Sequence, residues 1–294
     1  MGRKVLAIAT GMLVWLLGLC LAGAGQEGWI VWSSDWAGDG NINLWVIAPD
    51  GTGARQLTTT FNAALHPAIS PDGSRVAFSS PDTGTWYIYL IDITGENLVQ
   101  FTDFSSAVPD WSPDGTKLVF NSDHDDEPKD VPDLWAMNLD GTGLVELVDR
   151  PPTADFNGQW SPDGKKLLFC SNRYGSYDLL VLDLEMLFVQ RLTRTPYNEW
   201  SGRWSPDGEE IVFVSDRYGQ PDLFLMDANG TNVRRLTDWE GVDNDPAWSP
   251  DGEWIVFLSD RGGQPDLWLM RADGTDLRQL TDDPALDRFP DWGP

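Results

Sequence analysis

Histidine is almost missing from this sequence: His66 and His124 are the only two in 294 residues. That is too few for a histidine-rich metal site. Cysteine is equally scarce. Cys20 lies in an apolar N-terminal stretch, and Cys170 is the only other one. A single remaining thiol cannot close an internal disulfide, so covalent staples do not hold this fold. Cys170 follows Leu167-Leu168-Phe169 and reads as a small buried hydrophobe. Basic residues are few: 20 Lys and Arg face 46 Asp and Glu, a formal charge of −26. Such a charge excludes electrostatic binding to nucleic acid or to an anionic membrane surface. Beyond the N-terminus the apolar runs are only four to six residues long and are punctuated by turns, which excludes long helices.

The N-terminus reads as an export signal. Arg3 and Lys4 precede an uncharged apolar stretch over residues 5–21, and Ala22-Gly23-Ala24 supplies the small-x-small cleavage pattern. Leu19 stands where a lipobox before Cys20 needs a small residue, so lipidation is not expected. The expected organisation is a signal peptide over residues 1–24 and one domain over residues 25–294. An uncleaved segment anchoring the chain to the membrane is the alternative. Either way the domain is periplasmic or secreted.

What the sequence has in abundance is repetition. Ser-Pro-Asp-Gly begins at Ser70, Ser112, Ser161, Ser205 and Ser249, preceded by Ile69, Trp111, Trp160, Trp204 and Trp248. A truncated copy ends the chain at Trp292-Gly293-Pro294, and the successive spacings are 42, 49, 44, 44 and 44 residues. Each copy leads through an apolar run such as Ile255-Val256-Phe257-Leu258, a polar loop, a second run such as Leu267-Trp268-Leu269-Met270 and a turn such as Asp273-Gly274-Thr275. Ser-Pro-Asp-Gly matches a type I turn, and Asp-Gly or Asn-Gly is a hairpin signal. Each unit is therefore an antiparallel meander of four strands. Its inner strands are apolar on both faces and must be sandwiched between neighbours, which radial stacking achieves. Counting units predicts an all-β, six-bladed β-propeller. Its C-terminal strand, Phe289-Pro290-Asp291-Trp292, completes the first blade.

The WSPDG, DLW, DGT and RQLT elements in this order resemble the propeller of the periplasmic TolB family over essentially all of the chain after the export signal. That family also carries an N-terminal α/β domain, which this sequence is expected to lack. The resemblance implies a protein- or ligand-binding role for a propeller face. Similar repeats occur in prolyl-oligopeptidase-like enzymes, where a separate hydrolase domain acts; no G-x-S-x-G elbow occurs in this sequence.

The tryptophans before each SPDG recur once per blade and are expected in the core. Trp36, Trp200 and Trp239 break the repeat and are expected in loops of the top face, the rim opposite the SPDG turns, as partner anchors. His66 at the start of an innermost strand, His124 and Asp126 in the blade-three loop, and Asp243 complete the candidate partner-binding set. The acidic top rim favours a basic partner. Asp39-Gly40-Asn41-Ile42-Asn43 opens like a calcium loop but lacks the following Gly and distal Glu, so Ca²⁺ stays a weak alternative to no cofactor at all. The arginine in Asp216-Arg217 and Asp260-Arg261 is expected to clamp its own loop through Asp222 and Asp266. The reading is a monomeric, non-enzymatic binding module presenting a face to an envelope or extracellular protein. Carbohydrate or envelope-ligand binding, and carboxylate-based lyase or hydrolase chemistry, are the alternatives.

Overall fold

The computed structural model describes residues 28–82, 84–124, 132–148 and 153–294. Their 24 strands, numbered β1 to β24 along the chain, form six four-stranded antiparallel sheets arranged as the blades of a propeller. The innermost strands are β24 (Asp287–Gly293) in blade one, then β4 (Leu65–Ile69), β8 (Ser106–Trp111), β12 (Asp155–Trp160), β16 (Glu199–Trp204) and β20 (Asp243–Trp248). Blade one has the strand order β24, β1 (Trp29–Ser34), β2 (Asn43–Ile47), β3 (Arg55–Gln56), so the end of the chain pairs with its beginning. In that joint Trp29 faces Gly293 and Ile30 faces Trp292.

The turns behave as the residue types require. In every SPDG copy the Gly N–H donates to the Ser carbonyl, as from Gly73 to Ser70 at 2.8 Å, with Gly73 at φ +70°. The Asp carboxylate then accepts from the Ser hydroxyl, 2.7 Å from Ser70 to Asp72, and from the amide of Ser74. These donors hold the Asp72 pKa down at about 2. The threonine that ends five of the six units has an equally local purpose. The hydroxyls of Thr58, Thr102, Thr193, Thr237 and Thr281 each accept an amide N–H of the third strand at 2.9–3.0 Å.

Among the described residues the buried apolar side chains fall into six clusters, and each lies between two neighbouring blades. Apolar faces on both sides of every sheet are thus matched to the blade before and the blade after. The repeated tryptophans belong to these seams: Trp111, Trp204, Trp248 and Trp292 are buried, and Trp160 is half-buried. Trp111 and Trp248 also donate their indole N–H to a carbonyl of the preceding blade, Ala68 at 2.9 Å and Arg203 at 3.2 Å. Cys170 is buried in the same framework, and burial raises its thiol pKa well above the ordinary value.

The arginine clamps exist but choose other partners than expected. Arg173, Arg217 and Arg261 reach 18 residues back to the buried first carboxylate of the innermost strand: Asp155 at 2.8 Å, Glu199 at 3.1 Å and Asp243 at 2.7 Å. Asp222 instead binds Arg235 at 2.8 Å, and Asp266 accepts from Gln279 at 2.8 Å. In blades four, five and six the acid heading the inner strand therefore fastens the loop that follows the second strand.

Candidate binding site

The central channel is built from one irregularity repeated six times. Each innermost strand slips register against its partner near its middle. The residue there takes a left-handed backbone: His66, Val108, Asn157, Ser201, Asp245 and Phe289 have φ between 48° and 56°. A non-glycine residue pays roughly 1–2 kcal/mol for that conformation, so the surrounding sheet must impose it. The next position is Pro67, Pro109, Pro246 or Pro290 in four blades and glycine in two. At Gly158 a Cβ would sit 3.0 Å from Val119 and Leu134 side-chain atoms, and at Gly202 2.9 Å from Leu168. Those two glycines let the neighbouring blade close in.

The backbone of the ring repeats, but its side chains do not. Histidine, valine, asparagine, serine, aspartate and phenylalanine occupy equivalent places and surround a cavity of about 80 Å³. One step deeper in the strands stand Asp110, Gln159, Arg203 and Asp291. Gln159 and Arg203 also line a second cavity of about 200 Å³ that opens toward the SPDG turns, so the two chambers meet at these side chains. Asp110 accepts the amide of Trp160 at 3.1 Å and Asp291 that of Ile69 at 2.7 Å, each a bond to the next blade. Ser201 donates to Asp245 at 3.1 Å.

Burial dominates the electrostatics here. It pushes the Asp110 pKa up to about 7 and that of Asp245 to about 6, and it raises that of Asp291. The positive field of Arg203 opposes each of these rises. The same two causes, desolvation first and Arg203 second, lower the His66 pKa to about 4, so its imidazole is neutral at pH 7. His66 lies 4.2 Å from the Phe289 ring and 6.2 Å from that of Trp86.

An acid whose folded pKa is raised contributes stability below its unfolded pKa and loses it as pH rises through the folded value. The protein should therefore be more stable near pH 5 than near pH 8. Asp110→Asn should recover roughly 2–4 kcal/mol at pH 8 and change little at pH 4. Urea unfolding at the two pH values checks this. An unchanged pH dependence in the variant would place the titrating groups elsewhere.

Of the residues expected on the top rim, Trp36 and Trp239 are in loops and exposed, at 36% and 40%. Trp36 packs on Trp45 at 4.6 Å, and Trp239 donates its indole N–H to Asp260 at 3.0 Å. His66 is in the channel mouth. Trp200 is not a loop residue: it lies in β16, half-buried against the seam between blades five and six, and donates to Asn244 at 2.9 Å. Asp243 is not on the surface either, because it heads β20 fully buried and is held by Arg261. His124 sits apart in the β9–β10 connection (β9 is Lys117–Ser122, β10 is Asp133–Asn138), 4.3 Å from Phe104 and 5.6 Å from Trp135. Asp126 lies outside the described residues. In the calcium-like stretch, Asp39 caps its own turn through the Asn41 amide and Asn43 is buried beside Thr58. No group of three or more His, Cys, Asp or Glu poised for a metal occurs among the described residues.

Tyrosines were overlooked. Tyr174 and Tyr218 occupy the same loop position in blades four and five, and Tyr197 lies in the loop between those blades; all three are exposed. Arg191 and Arg235 stand over Tyr174 and Tyr218 at 4.3 Å and 4.5 Å. The Arg-Tyr-Gly triplets were the available signal. With Trp239 and Trp36 these rings give the top face an aromatic arc from blade four round to blade one.

Six meander blades, a closing C-terminal strand and a variable channel ring define a closed β-propeller. The chain belongs to the TolB beta propeller domain family, whose profile matches residues 130–237 and 179–294. It is similar to the solved structure of TolB from Acinetobacter baumannii, with 26% identity and a TM-score of 0.81 over 92% of this chain and 67% of that one. It is also 30% identical over 104 residues to a TolB homolog of Chlorobaculum tepidum, 35% of this chain and 23% of that protein. An uncharacterised protein of Agrobacterium fabrum is 35% identical over 91 residues, 28% of this chain. The matched segments span only 23–30% of these curated relatives.

Proposed function

We propose that this protein is a non-enzymatic binding module of the cell envelope, whose top propeller face receives a protein partner. The exposed aromatic arc carries the reading. Tyrosine, tryptophan and arginine are the residues most enriched at interface hot spots, and here the rings stand on loops with Arg191 and Arg235 of the outermost strands stacked on two of them. The arc lies on the rim at which the channel ring, different in every blade, opens. Family membership supports a TolB-like binding role, and an exported location follows from the N-terminal pattern. The acidic composition favours a basic partner and association that slows as salt rises. The module works as a monomer and without a cofactor.

Two arrangements speak for binding rather than catalysis. Ser201 donates to Asp245 and not to His66, and Cys170 is sealed in the core with its thiol protonated. The expected result is that Tyr218→Ala with Trp239→Ala weakens capture of the envelope partner by on the order of 2 kcal/mol or more, leaving the melting temperature nearly unchanged. Pulldown from envelope extract, then titration of the captured protein, measures it. Undiminished capture, or crosslinks confined to Asp114, Asp163 and Asp207 in the SPDG turns, would move the working surface to the other face.

A further inference from the structure

The end opposite the top face holds one turn that departs from the repeat. In blade five the hairpin between the third and outermost strands reads Asn229-Gly230-Thr231-Asn232; in blade four the equivalent positions are Glu185-Met186-Leu187-Phe188. Length is retained but the backbone is not: the left-handed residue is Leu187 (φ 53°), whereas blade five has Gly230 and Asn232, and the turn runs directly into β15 (Phe188–Arg191). The side chains are not turn residues at all. Met186 is 71% exposed, Leu187 77% and Phe188 60%, three consecutive large apolar groups on a convex tip in a chain of net charge −26. A hairpin of the same length is closed one blade away by glycine, threonine and asparagine, so the length of the connection does not call for apolar residues.

Their neighbours are also unusual for this chain. The Leu184 amide donates to the Lys165 carbonyl at 2.9 Å, which sets the tip beside the SPDG turn of blade four. Lys165 and Lys166 are exposed there, and Lys117 is exposed at the matching place in blade three. Two of the five lysines of the sequence thus follow the SPDG turn beside this apolar tip. Of the nearby acids, Asp163 accepts from Ser161 and Lys165 and Asp183 from Glu185 and Met186, while Glu185 is exposed next to the three apolar side chains.

The same end is where the chain leaves the ring toward its N-terminus. Gly28 abuts Gly293 and Pro294, beside the SPDG turn of blade two, and residues 5–21 beyond it form the uncharged apolar stretch.

We propose that the Met186-Leu187-Phe188 tip is a membrane contact that seats the propeller on a zwitterionic bilayer with its SPDG end toward the lipid. A convex tip of three apolar side chains needs no fitted groove when its partner is a bilayer interface. The flanking lysines can lay their methylene stems along the lipid and leave their ammonium groups at the phosphates. One such tip binds weakly. In the uncleaved form of the chain, the alternative that the sequence leaves open, the apolar residues 5–21 supply the second attachment and raise the effective concentration of the first. This orientation turns the aromatic arc away from the membrane, where a partner can reach it. It does not depend on what that partner is.

The test uses the full chain with Cys20→Ser, in which the buried Cys170 is protected from labelling. A polarity-sensitive fluorophore is placed at Leu187→Cys or, on the top face, at Tyr218→Cys. Each protein is mixed with phosphatidylcholine–phosphatidylethanolamine vesicles carrying a nitroxide-labelled lipid. The expected result is blue-shifted emission at position 187, quenched at least threefold more than at 218. A second protein exchanges the turn by Glu185→Asn, Met186→Gly, Leu187→Thr and Phe188→Asn, and carries the probe at Thr116→Cys, next to the SPDG turn of the adjacent blade three. Its quenching should fall at least threefold below that of the same probe beside the native turn. Equal quenching at 187 and 218, absence of vesicle binding, or no effect of the exchange would overturn the proposal. So would an exchange that abolishes capture of an envelope protein while leaving lipid quenching intact, since the turn would then be a protein-docking site.

Discussion

Removing residues 289–294 is expected to unfold the entire ring rather than fray one edge. These residues supply most of β24, whose pairing with β1 ties the end of the chain to its beginning. Trp292 is buried in the seam between blades six and one, with Trp32, Ile47 and Trp254. Asp291 holds the Ile69 amide of blade two at 2.7 Å. Loss of one buried tryptophan alone costs about 3–5 kcal/mol. The truncation adds an unpaired edge along Ile30 and Val31 and removes Phe289 and Pro290 from the channel wall. A domain of ordinary stability, about 5–15 kcal/mol, has little left after that. Thermal melts of the full and shortened chains, followed by circular dichroism, decide the matter. A midpoint within a degree of the full chain would show that the joint is not what closes the propeller.

The repeat made the architecture legible because a propeller's turns and seams demand the same residue types in every blade. Ser-Pro-Asp-Gly, Asp-Gly-Thr and Leu-Thr each satisfy a local hydrogen-bonding need, so their spacing reveals strand number, order and the closing strand. The site was legible only in part, for the opposite reason. The channel ring is written by a backbone event, the register slip at His66 and its five equivalents. Side chains as unlike as Val108, Asn157 and Phe289 occupy that one position, so no pattern of residue types marks it. The Asp110, Asp291 and Arg203 group was equally hidden, because 46 acidic residues give no reason to single out two that meet across a channel. Asp243 reads as a surface acid in the sequence because its partner, Arg261, is 18 residues away. Tyr174 and Tyr218 were passed over because only tryptophans were treated as departures from the repeat.

Trp200 and Trp204 put the distinction between repeat and departure to a direct test, since four residues separate them on one strand. Trp204 precedes Ser-Pro-Asp-Gly and is buried among Leu168, Leu179, Val181, Ile211 and Phe213, in the seam between blades four and five. Trp204→Ala should cost about 3–5 kcal/mol, the loss for emptying a large aromatic site that the rigid sheets on either side cannot collapse to fill. Trp200 was expected to be a loop anchor of small structural weight. Instead it bridges to blade six through Asn244 and packs at the edge of the next seam while staying half-exposed. Its replacement by alanine should cost about 2 kcal/mol, more than a loop residue but less than its neighbour, because only part of its surface leaves water on folding. Trp200→Phe should recover the packing share and lose the bond to Asn244, a difference of roughly 1 kcal/mol. Urea midpoints of the three variants, with the denaturant slope checked for constancy, give the comparison. Equal losses for Trp200→Ala and Trp204→Ala would mean that the two seams carry the same load and that burial does not rank these tryptophans.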